Sequence, residues 1–277
     1  MASVLLITGG ISGVLLVGNA YALRPFRAAS DAAVVEPGTV ELELGFDVSR
    51  NTRGENDQTK YAIPRAVFNI GIINRFEVDI STGFGLVEDG QKDTTLGSVG
   101  DTTITFKGLW WEAEEGTPTP SFATEISLVL PTAREEFQPG ATRDIGRRVG
   151  VTGQIDLTGE VGLLRYIVNL GGGAEPSAQD DDYVGVFTWA VAGELAVAER
   201  FDLVYEFQGT VVPDTDDEAT ALLGLTYTTA GGVKFDFAGL AGLADGSDNW
   251  GITFGLTYDF SIFGNGHQRQ DTPAPVK

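Results

Sequence analysis

The chain has 277 residues, 37 of them glycine and none cysteine, and 39 acidic against 18 basic side chains give a formal charge of −21. Without cysteine there are no disulfides, thiolate nucleophiles or Cys-ligated metals, and the acidic excess argues against binding a nucleic-acid backbone or anionic headgroups. Glycine at roughly 13% against a usual 7%, with no long apolar helical period, points to an all-β protein with many turns.

Residues 1–22 read as an export signal. The apolar stretch 4–17 is too short for a comfortable transmembrane helix, and Ala20-Tyr21-Ala22 has the small-x-small pattern of a signal-peptidase site, which places cleavage after Ala22. No Lys or Arg precedes the apolar core, so an upstream start and an uncleaved anchor stay open as alternatives. Residues 23–38 are expected as a periplasmic lead, with folding back into a lumen enclosed by the later residues as the other placement. No later apolar run is long enough to cross a membrane as a helix.

From Thr39 the sequence alternates with period two, one face apolar and the other small or polar. Val40, Leu42, Leu44, Phe46 and Val48 oppose Glu41, Glu43, Gly45 and Asp47; Phe76, Val78, Ile80 and Phe84 oppose Glu77, Asp79, Ser81 and Gly83. The pattern recurs over 103–111 around Lys107, 122–130 around Glu125, 149–157 around Asp156 and 164–170 around Arg165. It continues over 187–191, 201–208 with Asp202 and Glu206, 223–227, and 233–237 with Lys234 and Asp236. It closes on Trp250, Ile252, Phe254, Leu256, Tyr258 and Phe260, set against Gly251, Thr253, Gly255, Thr257 and Asp259. The stretch 61–72 carries Pro64 and Arg65 and has no clear facing; with it the count is twelve strands.

Connections alternate as well. Residues 72–75, 158–162, 198–200 and 229–232 are short turns, whereas 50–60, 87–100, 131–148, 172–182 and 211–220 are long and polar. This rhythm is that of outer-membrane barrels, with tight periplasmic turns and longer outer loops; the connection 112–120 is longer than the rule wants. Phe76, Phe84, Trp110, Phe122, Trp250, Tyr258 and Phe260 fall near strand ends, where barrels place an aromatic girdle. A soluble sandwich is the alternative, but it has no reason to collect aromatics there. The expected fold is therefore a closed antiparallel up-and-down transmembrane β-barrel over 39–260, in the bacterial outer membrane, with 261–277 a flexible tail.

The segments NIGIINRFEVDISTGFG (69–85), GDTTITFKGLW (100–110), SLVLPTA (127–133), AVAERFDLVYEF (196–207) and DNWGITFGLTYDF (248–260) resemble outer-membrane proteins grouped under the meta-pathway of phenol degradation. The likeness runs over about 39–260 and rests on strand-and-turn patterns, with no catalytic signature. It implies a transporter-like barrel that passes small solutes, aromatic or hydrophobic ones among them, across the outer membrane. The chain departs from the barrel norm at its end, where 261–277 comes after the closing aromatic strand.

The chemistry is restricted. The one histidine, His267, lies in the tail, so no Ser-His or His-Asp pair can be built on the barrel. The protein is expected to be no enzyme, with no cofactor and no metal site. Carboxylate-only glycoside chemistry is the third-ranked alternative, after a plugged structural or surface-interaction barrel. Glu41, Glu43, Asp47, Glu77, Asp79, Glu125, Asp156, Glu194, Asp202, Glu206, Asp236 and Asp259 share the polar parity with Arg65, Lys107, Arg165 and Lys234. They are expected to face the lumen, filling it with cross-strand ion pairs or making a net-negative pore. Asp180 to Asp182 and Asp214 to Glu218 read as solvated outer loops, Gly171-Gly172-Gly173 as a flexible strand exit, and Trp110-Trp111 as part of the lower girdle. The expected partners are outer-membrane lipid and lipopolysaccharide, the barrel-assembly machinery and a small solute.

Overall fold

A computed structural model describes residues 24–53, 57–114, 117–133, 148–176, 182–213 and 215–262. The signal segment, Asp180, Asp181, Asp214 and the tail with His267 lie outside the described residues. Among the described residues there is no helix. Thirteen strands run in chain order: β1 (Thr39–Asn51), β2 (Gln58–Ile73), β3 (Phe76–Asp89), β4 (Thr94–Val99), β5 (Thr102–Trp111), β6 (Ser121–Leu130), β7 (Gly150–Val161), β8 (Leu164–Pro176), β9 (Tyr183–Ala198), β10 (Phe201–Val211), β11 (Glu218–Thr228), β12 (Lys234–Gly242) and β13 (Trp250–Ser261).

Twelve of them form a closed antiparallel ring. β1 pairs with β2 on one side and with β13 on the other, from Thr39 opposite Ser261 to Arg50 opposite Trp250, so no strand edge of the ring is left open. Closure matters in lipid, where an unpaired backbone group has no water to turn to. β4 stands outside the ring and pairs only with the upper part of β3, Phe84 to Asp89. This corrects the expected polar loop at 87–100, which is a β-hairpin. The strand was hidden because its side chains are exposed on both faces except Ser98, so no period of two is written in its polarity.

The unclear facing of 61–72 also resolves. Pairing of β1 with β2 shifts between Gly45 and Asp47, and pairing of β2 with β3 shifts between Ala62 and Arg65, leaving Ile63 and Pro64 as a bulge. Proline has no N–H to give to a ladder, so a bulge is where a closed sheet can hold it. Gly171-Gly172-Gly173 is no strand exit but the upper part of β8, which runs on to Pro176. A Cβ at Gly173 would lie 2.2 Å from the Val151 carbonyl oxygen, so glycine there lets β7 and β8 come close.

Exposure is inverted relative to a water-soluble protein. Phe46, Phe106, Ile126, Leu225 and Phe254 are exposed on the outer wall, while Glu43, Asp79, Thr105, Ser127 and Asp236 are buried inside. A continuous apolar outer wall of this kind has lipid as its solvent. Phe76, Trp110 and Phe122 sit where β3, β5 and β6 meet their short-turn end, and Phe76 meets Trp110 edge-on at 5.7 Å. Tyr258 and Phe260 close that end on β13, while Trp250 opens β13 at the opposite end and Phe84 lies in the upper part of β3. Apart from the longer connection 112–120 between β5 and β6, tight turns join the strands at the lower end, helped by left-handed Gly162 (φ 65°) between β7 and β8 and Gly232 (φ 82°) between β11 and β12.

Candidate functional site

The lumen is the candidate site, and it is not empty of protein. Residues 24–38, for which the sequence leaves both a periplasmic lead and a fold back into the lumen open, form a strap through the interior. The reason is visible in the bonds: a backbone segment taken from water needs partners, and the polar row of the strands supplies them. Glu206 of β10 accepts from three successive strap amides, Arg27 N at 2.8 Å, Ala28 N at 2.9 Å and Ala29 N at 2.7 Å. Asn169 of β8 clamps Ser30, accepting from its N–H at 3.1 Å and donating to its carbonyl at 2.7 Å. Thr158 of β7 accepts from Ala32 N at 2.9 Å, and Glu77 of β3 accepts from Val35 N.

Charged pairs continue the attachment. Arg24 donates from Nε at 3.0 Å and Nη2 at 2.9 Å to the two oxygens of Asp236 on β12, and from Nη2 to Thr253 Oγ1 on β13 at 2.7 Å. Arg27 lies 3.6 Å from Asp47 on β1. Asp31 pairs with Arg165 and, at 3.5 Å, with Lys107. Lys107 Nζ is also 3.3 Å from Glu77 and 3.6 Å from Glu125, while Glu194 joins Arg165 and Lys234, each at 3.0 Å. The strap is thus tied to β1, β3, β5, β7, β8, β10, β12 and β13, which spreads its attachment over most of the circumference.

Paired glycines make room for it. Gly45 and Gly255 face each other across β1 and β13, and a Cβ on either would come within 1.9 Å of Arg24 Nη1 or 2.1 Å of Arg24 Nε, respectively. At Gly71 a Cβ would meet the Glu36 carbonyl oxygen at 2.1 Å. Gly45→Ala is the cleaner test, since the atoms it displaces belong to the Arg24 side chain alone. The guanidinium must then leave Asp236, and a loss of about 2 kcal/mol is expected from the broken charged hydrogen bonds. Thermal unfolding in detergent, with Gly45→Ala lowering the midpoint and Gly239→Ala leaving it in place, checks this.

The residues singled out in the sequence differ in depth. Glu43, Asp47, Glu77, Asp79, Lys107, Glu125, Asp156, Glu206 and Asp236 are buried in the lumen. Glu41, Arg165, Glu194, Asp202 and Lys234 are partly buried there, and Asp259 is exposed near the lower end of β13. Sequence reasoning missed Arg24, Arg27, Ser30 and Asp31, whose role depends on the strap's placement. It also missed an apolar patch at inward positions of β8 to β12: Ile167, Ala190, Ala192, Val204, Leu222 and Ala238, which gather around Phe26 and Ala29. Parity held that signal, because Ile167 lies between Arg165 and Asn169, and Val204 between Asp202 and Glu206.

Acceptors outnumber donors in this interior. Glu43 Oε2, Asp79 Oδ1, Glu125 Oε2 and Asp156 Oδ2 are buried with no hydrogen-bond partner, and Arg27 Nε is the one purely donating side-chain atom in that position among the described residues. Among the described residues no group of three or more His, Asp or Glu is arranged to hold a metal ion.

Comparison with known proteins agrees with this architecture. No curated protein matches the chain. Among solved structures, an outer membrane channel from Pseudomonas putida F1 is similar over 83% of this chain and 98% of its own, at 12% identity and a TM-score of 0.61. The CymD monoaromatic hydrocarbon channel is similar over 82% of this chain and 89% of its own, at 8% identity and a TM-score of 0.46. The KdgM porin aligns over 79% and 99%, at 12% identity and a TM-score of 0.46. The first of these carries the fold comparison, that of a β-barrel, and the closed ring of twelve strands is this chain's own. The chain belongs to the family described as "Putative MetA-pathway of phenol degradation", whose match runs over residues 24–260.

Proposed function

We propose that this protein is a non-catalytic outer-membrane channel for passive passage of small solutes, closed in this structure by its own strap. The observation that carries the reading is how the lumen is filled. A barrel built only as an anchor is best packed with apolar side chains, since buried ion pairs add little net stability over a hydrophobic filling. Here the strap is held mainly by carboxylates, amides and hydroxyls, contacts that water and a polar solute can replace. The family's description, phenol degradation, points to aromatic solutes. Lipopolysaccharide around the outer rim and the barrel-assembly machinery are the partners that go with this role.

The acidic row gives the open channel a preference for cations. Single-channel conductance of residues 23–277 in a planar bilayer tests it, with Glu77→Gln/Asp79→Asn as the second sample. Stable steps are expected, with cation preference under a salt gradient that weakens in the second sample. Anion preference in the unaltered chain would sink the acidic-pore reading, and insertion without conductance both in that chain and in a strap-released Glu206→Ala barrel would favour the rival, a plugged structural barrel.

A further inference from the structure

The strap sits on the lumen wall much as a small ligand would. Its Arg24 guanidinium meets both oxygens of Asp236 and the Thr253 hydroxyl, in a slot kept open by Gly45 and Gly255. Two residues on, Phe26 is buried in the apolar patch of β8 to β12. One short stretch, Arg-Pro-Phe-Arg at 24–27, therefore fills an acidic slot and an apolar floor side by side. Nothing about a wet barrel interior calls for that floor, because inward positions of barrels are ordinarily polar.

The remaining lumen asks for the same chemistry. With the strap docked, oxygens of Glu43, Asp79, Glu125 and Asp156 still lack donors among the described residues, on side chains that are almost wholly buried. A ligand that brings N–H donors together with positive charge satisfies such groups with the strongest bonds, a neutral donor satisfies them more weakly, and an anionic ligand adds repulsion. A bare metal ion fits poorly, since these oxygens are not gathered into a coordination group.

The geometry points to a binding site beneath the strap for small organic cations with an aromatic or alkyl body, such as arylalkylamines, for which residues 24–27 stand in. This rests on the channel reading and names its solute class. The ammonium takes the place of the Arg24 guanidinium on Asp236, the body takes the place of the Phe26 ring, and the strap leaves as the solute docks.

The chain has no cysteine, so Ala32→Cys places one thiol on the strap, at a position that is fully buried. Val34→Cys, close to the native volume, serves as a second position. Maleimide labelling of the refolded barrel is followed with 2-phenylethylammonium chloride, 2-phenylethanol, methylammonium chloride or sodium chloride at matched concentration. At least tenfold faster labelling is expected with 2-phenylethylammonium alone, and Asp236→Asn should erase its advantage over the alcohol. Equal acceleration by sodium chloride would mean screening, equal acceleration by the alcohol would mean apolar displacement, and no acceleration would mean no site; each overturns the proposal. Conductance of a strap-released Glu206→Ala barrel is recorded in parallel. Conduction without an amine response removes the solute class and leaves the channel, whereas a strap-released barrel that never conducts removes the channel reading itself.

Discussion

A barrel carrying Glu206→Ala should spend far more of its time conducting than the native chain. Glu206 is wholly buried and receives three consecutive strap amides. Each hydrogen bond to a charged acceptor contributes about 1.5–3 kcal/mol, and amides left without a partner lose their desolvation as well. Even a conservative loss of about 3 kcal/mol in strap docking multiplies the undocked population by a factor on the order of 100. The measurement is the open fraction in single-channel recordings. Glu206→Gln, which keeps an acceptor oxygen but sets an amide donor against strap N–H groups, should fall between the two. An unchanged open fraction in Glu206→Ala would show that the strap is not what closes the lumen.

Lys107→Met should cost more stability than any other single change on the wall. The ammonium is almost wholly buried and stands within 3.3 to 3.6 Å of Glu77, Asp31 and Glu125. Removing it leaves three carboxylates facing one another in a poorly solvated space, and stripping one partner from a buried ion pair costs about 3–5 kcal/mol. Urea unfolding in detergent micelles reads the loss. Lys107→Met/Glu125→Gln should recover a good part of it, because the second change takes away one of the repelling charges, and the double-mutant cycle isolates that coupling. A double variant no more stable than the single one would mean that Lys107 acts through packing rather than charge.

Much of this architecture is legible one strand at a time. The alternation of Glu41, Glu43 and Asp47 with Leu42, Leu44 and Phe46 states which side of β1 is wet, and the closing strand from Trp250 does the same for β13, which is its actual neighbour. Where a strand lacks that contrast the signal fails: β4 is exposed on both faces, and the Ile63-Pro64 bulge breaks the parity of β2. Both failures have one cause. Period two records a difference of solvent between two faces, so a strand with the same solvent on both, or one with an inserted residue, leaves no clean trace.

The strap marks the boundary more sharply. Nothing in Arg24, Phe26 or Ser30 taken locally distinguishes a solvated lead from a lumen filling, for the partners that decide it are distant: Asp236 is 212 positions from Arg24, Glu206 is 179 from Arg27, and Asn169 is 139 from Ser30. Local sequence settles the period of each strand, the polarity of its two faces and the rhythm of its turns, because those are set by backbone geometry and by the solvent on either side. Only ring closure brings the polar rows of twelve strands around one axis, and only then do buried carboxylates lacking donors and a backbone lacking acceptors and donors find each other.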